Sequence, residues 1–154
     1  MAVTHAVVYM ATTSPREIKL FSSFEKAHEY LVKVSKERFG ANEKITPGKM
    51  THYSSDPFNS EAYQIMEVED YSAGFPGDLL VVLTKSFIKE KGTLRKVGVY
   101  DCAQCAYQDM RKDYCDMLSC LGGVLDNEVP SSAFLTFNDH SFYSWHLWFA
   151  QLVE

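Results

Sequence analysis

The stretch "GVYDCAQCAYQDM", residues 98–110, decides how the rest of the chain is read. A β-type run from Val97 to Tyr100 leads into Cys102-Ala103-Gln104-Cys105, and a helical pattern follows. From Ala103 the apolar residues Ala106, Tyr107, Met110, Tyr114, Met117, Leu118 and Leu121 recur at i, i+3, i+4, i+7 spacing, which predicts one long amphipathic helix. Asp101 with Gln104 three residues on has the spacing of a capping box, and Gly122-Gly123 is a stop signal.

Strand, C-x-x-C, helix is also the order of a thiol–disulfide enzyme. Cys102 is expected at the first helical position, where unpaired N–H groups and the helix dipole favour a thiolate, with Cys105 one turn on in disulfide reach. Val129-Pro130 resembles the proline that faces the active site of thioredoxin-like folds. Only 24 residues separate Cys105 from Pro130, however, too few for the strand and helix a thioredoxin fold places there. Asp101 beside Cys102 also opposes a low thiol pKa. The four cysteines lie off the centre of the apolar stripe, and Cys102 and Cys120 stand about 27 Å apart along a helix, so they do not converge on a metal. A zinc site would need Cys102 and Cys105 plus distant ligands such as His140 or His52. Structural thiols are the first reading of this motif, redox use the second and metal binding the third.

Outward from this helix, the chain repeats an order of elements. "THAVVYMATT" and "EIKLF" read as strands joined by the turn signal "SPRE". "SSFEKAHEYLVKVSKERFG" reads as a helix, with Ser22 and Glu25 at capping-box spacing, Phe24, Ala27, Leu31 and Val34 as its stripe, and Gly40 as its stop. "KMTHY" and "AYQIMEVED" follow as strands around the turn-rich "SSDPFNSE". In the second half "DLLVVLTKSF" and "TLRKVGVY" are strands, the Cys102 helix follows, and "SSAFLTF" and "SFYSWHLWFAQLVE" are strands around Asn138-Asp139-His140. Each half is hairpin, helix, strand, strand. The expected fold is therefore α+β: one domain over residues 1–154, with ββαββ halves at about 3–71 and 78–153, two helices on a largely antiparallel sheet, and pseudo-two-fold symmetry. A shift of 79 places Ala27 on Ala106 and Phe58-Asn59 on Phe137-Asn138.

The duplicated order resembles the GyrI-like small-molecule-binding domains, which include gyrase-inhibitory proteins and the effector-binding domains of bacterial transcription regulators. The resemblance spans about residues 3 to 153. Its most specific match is "THYSSDPFNSEAYQIMEVE", where Tyr53 and Pro57 stand at the positions of the family's Tyr-x-x-x-Pro turn. A second is the aromatic residue leading the final strand, Trp145. The resemblance implies a groove between the halves, lined by aromatics and an acid, that binds apolar and often cationic ligands; some members hydrolyse small strained substrates. This sequence departs from the pattern in the last strand, where "WHLW" carries His146 and Trp148 and no carboxylate.

The repeat suggests a replacement. At a shift of 79, Tyr63, Ile65, Glu67 and Glu69 correspond to Phe142, Ser144, His146 and Trp148, and period-2 geometry puts each set on one strand face. If both faces line the groove, Glu67 and His146 are paired polar groups among aromatics, suited to a polar ligand group or to acid–base chemistry. The alternative is that Glu67 and Glu69 are ordinary exposed residues and His146 a hydrogen-bonded interface residue. The last strand is apolar on both faces, so one meets the helices and the other meets a ligand, a second subunit or further packing.

Composition limits the partners. Fifteen basic residues against 20 acidic ones, with a net charge of −5, provide no basic stripe for nucleic acid. No apolar run approaches the ~20 residues that span a membrane. The amino terminus lacks the features of a signal peptide, so a cytoplasmic location is expected. Gly122-Gly123 follows a helix where a phosphate loop would precede one. "NDHS" reads as a hairpin turn, because triads form across space rather than between neighbours. His5 and His28 read as a strand residue and a solvated helix residue. The reading is of a non-catalytic sensor or sequestering domain without a cofactor. It would bind a small apolar or aromatic ligand through Tyr53, Tyr63, Glu67, Phe142, His146 and Trp148, or a protein partner through the same groove. The alternatives are a homo-oligomer built on the aromatic last strand, and a thiol-redox protein using Cys102 and Cys105.

Overall fold

A computed structural model describes residues 3–11, 14–39, 61–72, 79–89 and 92–153. The order is β1 (His5–Ala11), β2 (Ser14–Phe21), α1 (Phe24–Phe39), β3 (Glu61–Glu67), β4 (Glu69–Asp70), β5 (Leu79–Ile88), β6 (Gly92–Tyr100), α2 (Ala103–Leu121), β7 (Val124–Val129), β8 (Ser132–Thr136) and β9 (Phe142–Val153). The α+β class is as expected from the sequence, with two helices and nine strands among the described residues. The strand predicted at "KMTHY" and the turn carrying Tyr53 and Pro57 lie outside them.

The strands run in the order β3-β1-β2-β9-β5-β6-β4. Because β3 and β4 are one strand interrupted at Val68, the two ends of this path meet and the sheet closes on itself. Val68 donates to Thr4 O at 2.9 Å on one side, and Tyr71 donates to Val99 O at 2.8 Å on the other. Closure removes the free edges at β3 and β4, while β7 and β8 branch off this path beside β9 and β7 pairs only with β8. The inward residues of six strands then fill the middle: Ala6, Val8 and Met10, Leu20, Leu80 and Val82, Val97 and Val99, Ala150 and Leu152, with Met66 and Trp148 against them. This explains why the last strand is apolar on both faces. Trp148, Ala150 and Leu152 face the interior, while Trp145 and Leu147 face α2.

The helices cover the outside. α1 lays Ala27 and Leu31 on Val7, Tyr9, Phe21, Tyr63 and Ile65. α2 lays Ala106, Met110 and Tyr114 on Val81, Leu83, Leu135 and Trp145. Trp145 is fully buried, and its Nε1 donates to Asp113 Oδ2 at 2.9 Å, the carboxylate that also holds Lys85 at 2.9 Å.

Local signals placed most element ends to within a residue or two. α1 is capped by Ser23, whose Oγ accepts from Lys26 N at 3.3 Å, rather than by Ser22. The N-cap of α2 is Cys102 rather than Asp101, so Cys102 is one position outside the helix. α2 does end at Gly122 and Gly123, with φ of 74° and 97°. A Cβ at Gly123 would also lie 2.9 Å from Thr136 O, so glycine is required there on two counts. "SPRE" is part of β2, not a turn. Pro15 pairs with Met10 beside a register shift, a bulge where its missing N–H costs no ladder bond. β7 was not anticipated from sequence, and it makes three strands after α2 where two were expected.

The pairings of the two halves run in step. His5 pairs with Phe21 and Glu67, as Val81 pairs with Tyr100 and Phe149. Leu20 pairs in parallel with Leu152, as Val99 does with Asp70. By comparison of these pairs, the position in β9 that matches Glu67 in β3 is Phe149, three on from the His146 given by a uniform shift of 79.

Candidate functional site

β9 pairs with β5 along its first ten residues and with β8 at Phe142–His146, so a three-stranded floor forms at that end. Its face away from α2 carries Phe142, Ser144, His146 and Trp148 from β9, Thr84 and Ser86 from β5, and Phe134 from β8. Period-2 geometry puts them together: Thr84 stands opposite His146, Ser86 opposite Ser144, and Phe134 opposite Ser144 on the other side.

His146 is the centre of this face. Its ring meets Phe134 edge-on at 5.6 Å between centroids and Trp148 at 5.9 Å. Phe142 adds a contact to Phe134 at 6.1 Å. Trp148 is held by its Nε1, which donates to Thr84 Oγ1 at 3.0 Å. These four rings are partly exposed. Burial alone holds the imidazole pKa below its ordinary value, so His146 is neutral at pH 7. Neither ring nitrogen has a hydrogen-bond partner among the described residues. Beside it Ser86 and Ser144 are buried, and neither hydroxyl has a partner among the described residues. A neutral imidazole offers one donor and one acceptor, so the face presents unused hydrogen-bonding capacity inside an aromatic rim.

The other residues singled out from sequence are elsewhere. Tyr63 is buried under α1, on the outer face of β3. Its ring lies 5.0 Å from that of Tyr9, and its hydroxyl accepts from Arg38 Nε at 3.0 Å. Burial raises its pKa, against the opposing pull of the Arg38 guanidinium. Glu67 shares that outer face and is exposed; it lines a charged depression of about 290 Å³ with Glu69, Lys85, Arg95, Lys96 and Asp113. Glu67 and His146 are therefore on opposite faces of the closed sheet and do not form a pair. Tyr53 lies outside the described residues.

Phe134, Thr84 and Ser86 were missed as site residues. The alternation of "SAFLT" and "LTKSFI" would have put them on one face, but the sequence carries no sign of which strands pair. Asp139, His140 and Ser141 form the turn before β9, with Asp139 Oδ1 accepting from Ser141 N at 3.0 Å, and they make no triad.

At the start of α2, Cys102 caps the helix with an extended backbone (φ −142°, ψ 129°) and makes no side-chain capping bond. The Cys105 N–H, the Cys105 thiol and the Gln104 N–H still approach it closely enough to hold its pKa below the ordinary thiol value. They outweigh Asp101, contrary to the expectation from sequence. Cys105 shifts the opposite way, through its hydrogen bond to Cys102 and the charge there. All four cysteines are free thiols. Among the described residues no group of three or more His, Cys, Asp or Glu side chains is arranged to hold a metal ion, and no helix is long and apolar enough to cross a membrane.

No protein-family model matches the chain, and no curated protein or solved structure matches it either. What the fold and face define is a class by architecture: an α+β protein with a closed sheet, a shared apolar interior and a helix on each flank.

Proposed function

We infer that this chain is a non-catalytic binding protein for a flat, uncharged small molecule, taken on the face formed by Phe134, Phe142, His146 and Trp148. The carrying observation is the imidazole of His146, without a hydrogen-bond partner among the described residues, neutral and ringed by partly exposed aromatics. Ring faces and edges suit a planar apolar ligand, and the imidazole supplies one directional bond to orient it. The described residues of this face hold no carboxylate, which favours an uncharged ligand over the cations that a GyrI-like resemblance implies. That resemblance remains part of the reading. The matched pairings of the two halves support descent from one duplicated unit, with the binding face in the second copy.

The test is a thermal-shift screen of planar neutral and cationic aromatics at two protein concentrations. A ligand at a hundred times its Kd adds about 2.7 kcal/mol of stability, well within detection. Neutral planar compounds are expected to raise the Tm of the wild type and to lose most of that effect on His146→Leu and Phe134→Ala. Hits that act equally on both variants would place the ligand elsewhere.

A second reading is self-association. Phe149 is 67% exposed and Leu79 62% exposed, on neighbouring strands and the same outer face. A Tm that rises with protein concentration, abolished by Phe149→Ser, would favour it.

A further inference from the structure

Cys102 and Cys105 belong to no part of the aromatic face, and their geometry allows chemistry of its own. They flank the first turn of a 19-residue helix, and both are within reach of solvent. Residues three apart on a helix hold their Cβ atoms about 5–6 Å apart. A disulfide needs roughly 3.5–4.5 Å between Cβ atoms. Cys102 is the cap: its backbone is extended, its carbonyl accepts the first helical bond from Ala106 N at 3.2 Å, and its side chain, which makes no capping bond, can turn toward Cys105 to close that gap. The rest of α2 is held by Ala106, Met110 and Tyr114 against the sheet, so the turn can tighten without unseating the helix.

The two thiols are also unequal. Backbone N–H groups and the Cys105 thiol stabilise the Cys102 thiolate, while Cys105 is made less acidic by its neighbour. In exchange chemistry the more acidic accessible thiol attacks and the other resolves.

We propose that Cys102 and Cys105 form a two-electron thiol–disulfide exchange site whose oxidant is a small-molecule disulfide of the glutathione type. The Cys102 thiolate attacks one sulfur of that disulfide. The S–S bond breaks, one small thiolate leaves with the electron pair and takes up a proton, and a mixed disulfide remains on Cys102. Cys105 gives up its proton and attacks the Cys102 sulfur, and the second small thiol leaves. The protein's two thiols are oxidised to one disulfide, the small disulfide is reduced to two thiols, and both protons end on the small thiols.

The test uses the full chain carrying Cys115→Ser and Cys120→Ser, which removes two further exposed thiols on the same helix. It is equilibrated across a series of reduced-to-oxidised glutathione ratios, acid-quenched, alkylated and weighed intact. Both remaining thiols are expected to disappear in one step with a loss of two hydrogens and no retained glutathione. On that background Cys105→Ser should trap one glutathione on Cys102, and Cys102→Ser should react several-fold more slowly. Independent glutathione adducts at both cysteines, or first reaction at Cys105, would overturn the proposal. Peptide mapping of the oxidised wild type must also place the bridge between residues 102 and 105; a bridge to Cys115 or Cys120 would count against it.

Discussion

His146 shows what a single residue contributes here. Burial among rings favours its neutral form, so its pKa in the folded chain is below the value near 6.5 that it takes when unfolded. The sign of the linkage follows. Above about pH 7 neither state binds the proton and stability is unaffected. As pH falls through about 6.5 the unfolded chain takes up the proton first, and stability is lost until the folded-state pKa is passed. Urea midpoints at pH 7.5 and 5.5 should therefore fall further for wild type than for His146→Phe; equal falls would mean that the imidazole is solvated. Ser144 makes a second case at this scale. Its buried hydroxyl has no partner among the described residues, so Ser144→Ala relieves an unmet desolvation cost and is expected to stabilise by about 1 kcal/mol. Chemical denaturation measures this directly, and a loss of stability would mean that the hydroxyl is satisfied by water. Neither feature was legible in the sequence. His146 was identified as a polar residue in an apolar strand, but its partners are set by β5 and β8, which are far from it in the chain.

The elements were more accessible, because their signals are local. The stripe from Ala106 to Leu118 does lie against the sheet, and Gly122-Gly123 does end the helix. Met110 and Leu31 occupy matching places, each fully buried beneath its helix. Truncation of either to Ala should cost about 2–5 kcal/mol by lost transfer energy and the cavity left behind. Equilibrium urea unfolding would check this, and a cost under 1 kcal/mol at either site would show that its helix is not firmly docked. The errors at this scale have local causes too. Ser22 and Ser23 are equally good cap residues by type, and only the observed bond to Lys26 N selects Ser23. β7 was overlooked because "VLDNEV" mixes acids with apolar residues, Leu125 being half-buried and Val124 and Val129 exposed. Its pairing with β8 is what makes it a strand.

At the scale of the molecule, the closed sheet makes the two halves share one interior. Val8 and Leu20 from the first half are in the same cluster as Val82, Val99 and Ala150 from the second. Asp70 fastens the closure: its carboxylate accepts from Val3 N at 2.9 Å, and from Ser72 N at 2.9 Å and Ser72 Oγ at 2.7 Å. Unfolding should thus be a single transition, with fluorescence and circular dichroism midpoints coincident. Asp70→Ala is expected to cost about 1–3 kcal/mol while keeping that coincidence. Separate transitions for the two halves would show that each carries a sufficient core of its own.

By itself the sequence determined the α+β class, both helices and eight of the nine described strands, because period, caps and turn residues act over a few neighbouring positions. It also marked His146 as a polar group in an aromatic strand. The tertiary structure decided which faces meet. Closure turned the second apolar face of β9 inward, and the pairing of β3 with β1 left Glu67 exposed on the outer face, away from His146. Side chains alternate faces at every residue of a strand, so the pairing of β3 with β1 and of β9 with β5 and β8 decides which face each side chain takes, and no local signal in the sequence fixes those pairings.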